Sequence, residues 1–241
     1  EAQERAARSI AVHFIRLSTW AGSAFPPGTI EAMTSRSIGT LREKPLHAAL
    51  KQWCAAPGDR CEVAVDGFVV DVVRDDLLIE IQTTGFSAVK GKLHRLLDSG
   101  HRVRVVHPIA VTRTIVRLGS DGAVLGRRKS PRRGSPLGIF AELVSFPELV
   151  AHPRFDLEIV LTTEDEYRRH DPTRAWRRKG WVVAERRLAG IVDVLRIAVP
   201  DDLVALLPAG LPARFDTADL AAAVGKPRPH LVDTFAGRGG G

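Results

Sequence analysis

The chain is poor in the residues that build stapled scaffolds: its 241 residues include two cysteines, one methionine and one tyrosine, and only 6% are aromatic. Cys54 and Cys61 have neither CxxC spacing nor a companion histidine pair, which argues against a zinc site or a disulfide framework and suits a reducing compartment. Long apolar runs are missing too. No window approaches about 18 apolar residues, and the early stretch SIAVHFIRL is broken by His13 and Arg16. Neither a membrane span nor a secretory leader is expected, and the expected location is cytoplasmic.

Positive charge, by contrast, is plentiful. Lys plus Arg number 35 against 28 Asp plus Glu, a formal net charge of +7, so an anionic partner is expected, with nucleic acid first. A hydrophobic share of 44% with 26% charged residues fits a soluble globular chain of one large or two modest domains. Four segments are expected. Residues 1–38 read as an extension or linker, within which Met33 looks like the natural beginning of a domain, and 39–135 read as a core. Residues 136–187 read as an α+β extension with a basic loop, and 188–241 as a helical segment.

From Thr40 to Cys54, Leu41, Leu46, Ala49, Leu50 and Trp53 recur at helical spacing, with Pro45 near the first turn. After the Pro57-Gly58-Asp59 turn, EVAVDGFVVDVVRDDLLIEIQT predicts three short antiparallel strands joined at Asp66-Gly67 and Arg74-Asp75-Asp76. Phe86, Val89, Leu93, Leu96 and Leu97 mark a second helix ending at Ser99-Gly100, and RVRVVHPI supplies another strand. The order is α-β-β-β-α-β. A hairpin over 111–118 and 123–127 comes next, then a helical stretch near 137–150, a strand near 157–161 and a helix-like apolar run at 188–195.

Two acids interrupt apolar strands: Asp71 in GFVVDVV and Glu80 in LLIEIQ. Alternation places Asp71 with Val69 and Val73, and Glu80 with Leu78 and Gln82, so antiparallel pairing can bring the two acids side by side. Carboxylates so placed share a proton or bind a cation. With the Ile81 carbonyl they form an open site for Mg²⁺ (or Mn²⁺), a hard ion that usually keeps several waters. Glu43, on the first helix, could add a third acid. The plainer alternative is a surface ion network with Arg74, Lys90, Lys92 or Arg95.

This order of elements, with an acid on the second strand and Glu-x-Gln on the third, resembles the restriction-endonuclease-like, or PD-(D/E)xK, nuclease superfamily over residues 40–110. More loosely, the region from Met33 onward resembles an uncharacterised bacterial family of such proteins. The resemblance implies an α/β fold with a restriction-endonuclease-like αβββαβ core, and metal-dependent hydrolysis of phosphodiester bonds in DNA, double-stranded in the first instance. Carried over, Asp71 and Glu80 are the metal-binding acids, Glu43 is the accessory helix acid, and Gln82 stands where the motif lysine usually does. Val70 stands where the superfamily often has proline. Gln82 can be neither a cation nor a general base, which leaves it to orient the attacking water. Some members carry the lysine on the next helix, where Lys90, ranked ahead of Lys92, would neutralise the scissile phosphate. A catalytically inactive nuclease-fold protein that binds DNA or regulates is the alternative.

Two basic runs flank this core. Arg127, Arg128, Lys129, Arg132 and Arg133 form one, and the other runs from Arg168 and Arg169 to Arg177, Arg178 and Lys179. Both could track phosphates, with Trp176 and Trp181 available to stack on bases or to pack. The tract RFDTADLAAAVGKPRPHLVDTF resembles the opening of a winged helix-turn-helix, incomplete because Pro227 and Pro229 stand at the start of its second helix. A homodimer is compatible with the sequence. The histidines form no triad with Ser or Cys and read as structural or phosphate-contacting.

Overall fold

The computed structural model describes residues 44–173 and 180–223. All of these lie in one of the two compact units into which the chain divides, 43–241. Pro45 opens helix α1 (Pro45–Cys54), at a position where a missing N–H removes no helical bond. Leu46, Leu50 and Cys54 recur every four residues and form its buried stripe. The helix C-terminus is tied to the sheet by Arg74, whose Nη2 donates to the Cys54 carbonyl at 2.7 Å and to Asp59 at 2.8 Å.

Strands β1 (Arg60–Val65), β2 (Phe68–Arg74) and β3 (Leu77–Ile81) make the antiparallel meander that the sequence implies. Its first turn is the two-residue hairpin Asp66-Gly67, with φ of 49° and 81°, a left-handed pair that matches the twist of the strands. Helix α2 (Lys90–Asp98) crosses over, and β4 (Arg102–Leu118) returns parallel to β3. The order α-β-β-β-α-β is thus present, in a mixed α/β structure built mostly of sheet.

Beyond this point the structure departs from expectation. RVRVVHPI and the stretch from Val111 to Leu118 are one 17-residue strand, although it contains Pro108. The Val106 carbonyl accepts from Gln82 N–H, so Pro108, two residues on, turns its nitrogen to the same edge, where β3 has already ended. On the opposite edge β6 (Phe155–His170) runs parallel to β4, and β7 (Trp181–Ile197) pairs antiparallel with β6. From Thr114 onward β5 (Val124–Lys129) takes up the edge that β3 vacated. Between β3 and β5 that edge is met by a loop, through Ser130 N to Arg113 O and Gly134 N to Ala110 O. One seven-stranded sheet results, in the order β1-β2-β3-β4-β6-β7 with β5 beside β4. It runs unbroken across 135/136 and 187/188, where the sequence suggests divisions.

The helix-like run from Leu188 to Leu195 is strand, and bulges explain the disguise. The β6–β7 register slips three times, leaving Ala184, Ala189 and Val192 without a partner. Each extra residue inverts the alternation, so Leu188, Ile191 and Val194, spaced by three, all pack on the layer beneath α1. Helix is also scarcer than expected over 137–150, where Pro136 and Pro147 open 3₁₀ turns on either side of the short helix α3 (Ile139–Leu143). After β7 come α4 (Pro200–Val204) and α5 (Thr217–Ala223), the latter capped by Asp216, whose Oδ1 accepts from the Ala218 and Asp219 amides. The remainder of the helix-turn-helix-like tract lies outside the described residues.

The sheet buries both faces. Leu78, Val105 and Leu157 pack with Leu93 and Leu96 of α2 and with Phe86 and Phe146, while Val72, Ile79, Ile81 and Val106 pack with Leu46 and Leu50 of α1. No helix among the described residues is long and apolar enough to cross a membrane. Cys54 lies in the α1 layer, where burial, reinforced by the Glu158 charge, pushes its thiol up to about 11, while Cys61 is exposed. Iodoacetamide at about pH 8 is expected to place one adduct on the native protein, at Cys61, and two on the denatured chain, read by mass spectrometry. Alkylation of Cys54 in the native protein would contradict this packing.

Candidate active site between strands β2 and β3

The β2–β3 ladder pairs Arg74 with Leu77, Val73 with Leu78 and Val72 with Ile79, and there it stops. Asp71 and Glu80 occupy the next positions in register. Here the Asp71 carboxylate replaces a backbone acceptor: Ile81 N–H donates to its Oδ2 at 2.8 Å. The β1 side is disturbed at the same level. Glu62, opposite Asp71, adopts φ 55° and drops out of the ladder, and its carboxylate accepts from Lys51 of α1 at 2.6 Å. Alternation breaks there as well, since Val70 and Val73 pack in the α2 layer and Val72 in the α1 layer. Val69, expected on the face of Asp71 and Val73, is 61% exposed.

Asp71 and Glu80 keep only 15% and 12% of their side-chain surface in solvent. Lys92 reaches across the opening from α2, its Nζ donating to Glu80 Oε2 at 2.5 Å and to the Val69 carbonyl at 2.6 Å. From α1, His47 Nε2 stands 3.3 Å from Asp71 Oδ2. Burial raises both carboxyls, but the outcomes differ. At Asp71 the hydrogen bonds from His47 and Ile81, with the charge of Lys92, outweigh burial and hold the group below its ordinary value. At Glu80 burial and the Asp71 charge outweigh Lys92 and hold the group above it. Two neighbouring carboxyls driven apart in this way are suited to proton transfer or to cation binding.

The free donors are hard oxygens. Among the described residues nothing donates to Asp71 Oδ1 or Glu80 Oε1. The N–H and C=O of an extended residue point the same way, so the Ile81 carbonyl also faces the opening. No group of three or more His, Cys, Asp or Glu side chains suited to a metal occurs among the described residues. A divalent ion here would therefore rest on two carboxylates, one carbonyl and water, a set that Mg²⁺ accepts.

Two residues differ from their expected roles. Lys92, and not Lys90, approaches the carboxylates; Lys90 lies 3.6 Å from Glu148. Gln82 is buried and braces the loop after β3, its Nε2 donating to Gly85 O at 2.7 Å while its backbone carbonyl accepts from His107 Nδ1 at 2.7 Å. Its amide nitrogen is thus engaged by the loop, at Gly85 O and Thr84 Oγ1. His47 is a further member, read from the sequence only as structural or phosphate-contacting. Its signal is positional: His47 and Lys51, one turn apart, flank the Leu46/Leu50 stripe and meet Asp71 and Glu62.

Glu43 lies outside the described residues, as do Arg177, Arg178, Lys179 and Trp176. Arg127, Arg128 and Lys129 sit on β5, all exposed, and Arg132 and Arg133 are exposed in the loop after it. Trp181 is packed, edge-on to His170 and 4.8 Å beneath the Arg117 guanidinium.

Residues 44–198, from α1 to the end of β7 and with Asp71, Glu80 and Lys92 inside, match the family model of a domain of unknown function, DUF8091. The chain belongs to this family. It is also similar to an uncharacterized protein of Treponema pallidum (strain Nichols), 33% identical over 186 residues, which cover 77% of this chain and 74% of the relative. No solved structure matches at a significant level. The family match spans both divisions suggested by the sequence, in agreement with the single sheet.

Removing Lys92 strands two buried carboxylates. Lys92→Met is expected to lower unfolding free energy by about 3–5 kcal/mol near pH 8, the usual result of removing one partner of a buried pair. Glu80 already titrates above its unfolded value, so its ionisation disfavours the native state as pH rises, and losing Lys92 enlarges that effect. The deficit should shrink when Glu80 is protonated, toward about pH 5. Urea unfolding at both pH values measures this, and a deficit that grows on acidification would contradict the pairing.

Proposed function

We propose that this domain is a metal-dependent deoxyribonuclease that hydrolyses phosphodiester bonds, with Asp71 and Glu80 as its metal-binding acids and Lys92 as its lysine. The observation that carries this reading is the parting of β2 and β3 at Asp71 and Glu80, where Lys92 enters. It is supported by the αβββαβ order, with one acid on the second strand and another on the third, which resembles the restriction-endonuclease-like core. When bound, Mg²⁺ or Mn²⁺ supplies a water of lowered pKa and positive charge for the leaving oxygen. The protein does the rest. Ile81 N–H and His47 keep Asp71 ionised and fix its oxygens, Lys92 offsets charge beside Glu80 and on the scissile phosphate, and Gln82 with His107 holds the loop after β3.

A second reading is a nuclease-fold protein that binds DNA without cutting it. It is favoured by the Lys92 ammonium, which is ion-paired with Glu80 and offsets part of the charge of the carboxylate pair. Plasmid cleavage with Mg²⁺ or Mn²⁺ separates the two. Under the first reading Asp71→Ala and Lys92→Ala each lose at least about a hundredfold in cleavage rate, with DNA affinity in EDTA retained. A wild-type protein that binds DNA, fails to cut it with either ion and shows no Mn²⁺ binding by calorimetry supports the second.

A further inference from the structure

Directly paired residues on neighbouring strands point to the same side of a sheet. In the far half of this sheet the register aligns Arg128 with Ile115, Ile115 with Glu166, and Glu166 with Arg186. One alternation step to either side, Arg117 pairs with Arg168 and Arg113 with Glu164, so five arginines share this face. The contacts agree. Glu166 accepts from Arg168 Nε at 2.7 Å and has Arg186 and Arg113 within 3.6 Å, while Glu164 accepts from Arg113 at 3.2 Å. Both glutamates are buried. Three guanidiniums around two buried carboxylates leave one positive charge in excess.

Arg117 and Arg128 have no carboxylate partner among the described residues. Arg117 also stands directly opposite Arg168, whose own charge Glu166 offsets, so Arg117 adds a charge that this carboxylate does not match. The basic run of β5, meanwhile, cannot act as one patch. Alternation sends Arg127 and Lys129 to the other face, where Arg127 lies 3.8 Å from Asp165 and Arg187 pairs with Glu185. That face carries Arg127, Lys129, Arg169 and Arg187 against Asp165 and Glu185, and the arginine face carries one more cation against the same number of acids. Leu188, paired with Glu164, packs in the α1 layer, so the arginine face is on the side of the sheet that carries α1 and His47.

We propose that the face formed by Arg113, Arg117, Arg128, Arg168 and Arg186 is the docking surface for the phosphate backbone of double-stranded DNA. This rests on the DNA reading above and specifies the side of the sheet that the substrate covers. Guanidinium forks bind phosphate oxygens in pairs and carry no base information, so the binding is sequence-independent.

The test is fluorescence anisotropy with a labelled duplex of about 20 base pairs in EDTA, across a range of NaCl. Arg117→Gln/Arg128→Gln removes two charges that have no carboxylate partner among the described residues, one of them stacked on Trp181, and Arg127→Gln/Lys129→Gln removes the same charge from the opposite face. The first variant is expected to bind at least about tenfold more weakly at moderate salt, with a log–log salt slope shallower by about 1.8. The second should stay within about twofold of wild type, and equal urea midpoints certify both folds. Equal losses in both variants, an unchanged first variant, or equally tight binding of a poly-glutamate peptide would overturn the proposal. Because EDTA removes cleavage from the readout, failure of this surface and failure of the nuclease reading give different results.

Discussion

One hydrogen bond governs the near half of the molecule, from Ile81 N–H to a side-chain oxygen of Asp71. A buried amide needs an acceptor, and leaving one unsatisfied costs about 1–3 kcal/mol. Had β2 supplied a backbone carbonyl, the ladder would have continued and closed the space between the strands. Because a carboxylate supplies the acceptor, β2 and β3 can part while every donor is met. Glu62 turning left-handed on β1, Lys92 reaching over from α2 and His47 leaning in from α1 all answer the same opening. Asp71 is therefore the terminus of a ladder as well as an acid, and those two duties fix its position more tightly than either would alone.

The near half of the fold was legible because its signals are local. Helix stripes, two turn dipeptides and a β-rich run determine α-β-β-β-α-β without reference to distant contacts. Asp71 and Glu80 stood out because a charge inside an apolar strand is costly. What stayed hidden depends on partners far along the chain. Lys90 and Lys92 flank one helix stripe almost equivalently, and the folded chain turns the first to Glu148 and the second to Glu80. Strand β7 hid behind its bulges, which give Leu188, Ile191 and Val194 the spacing of a helix face. The continuity of the sheet was hidden for a related reason: β4, β6 and β7 are long strands whose outer halves are rich in polar and charged residues.

Charge is handled differently at the two ends of this sheet. Near α1, Arg104 is ion-paired with Asp156 and Glu158 and Arg196 with Asp156, which joins strands β4, β6 and β7, and the pair of Arg74 with Asp59 ties β2 to the turn before β1. Acids and bases there are well matched. On the far half two buried glutamates serve more guanidiniums than they can neutralise. The family match covers both ends, so the carboxylate opening and the arginine-rich face belong to one inherited unit.

Pro108 has a further role, set by its place between β3 and β5. The β4 edge there is a stretch between two paired segments where a foreign strand could add and start edge-to-edge aggregation. A proline offers no N–H to such an intruder, and the loop carrying Ser130 and Gly134 takes the neighbouring carbonyls. Any side chain at Gly134 would press within 2.7 Å of the Ala110 oxygen, so only glycine lets that loop lie so close. The gap between β3 and β5 is sealed against self-association by an imino acid and a missing Cβ.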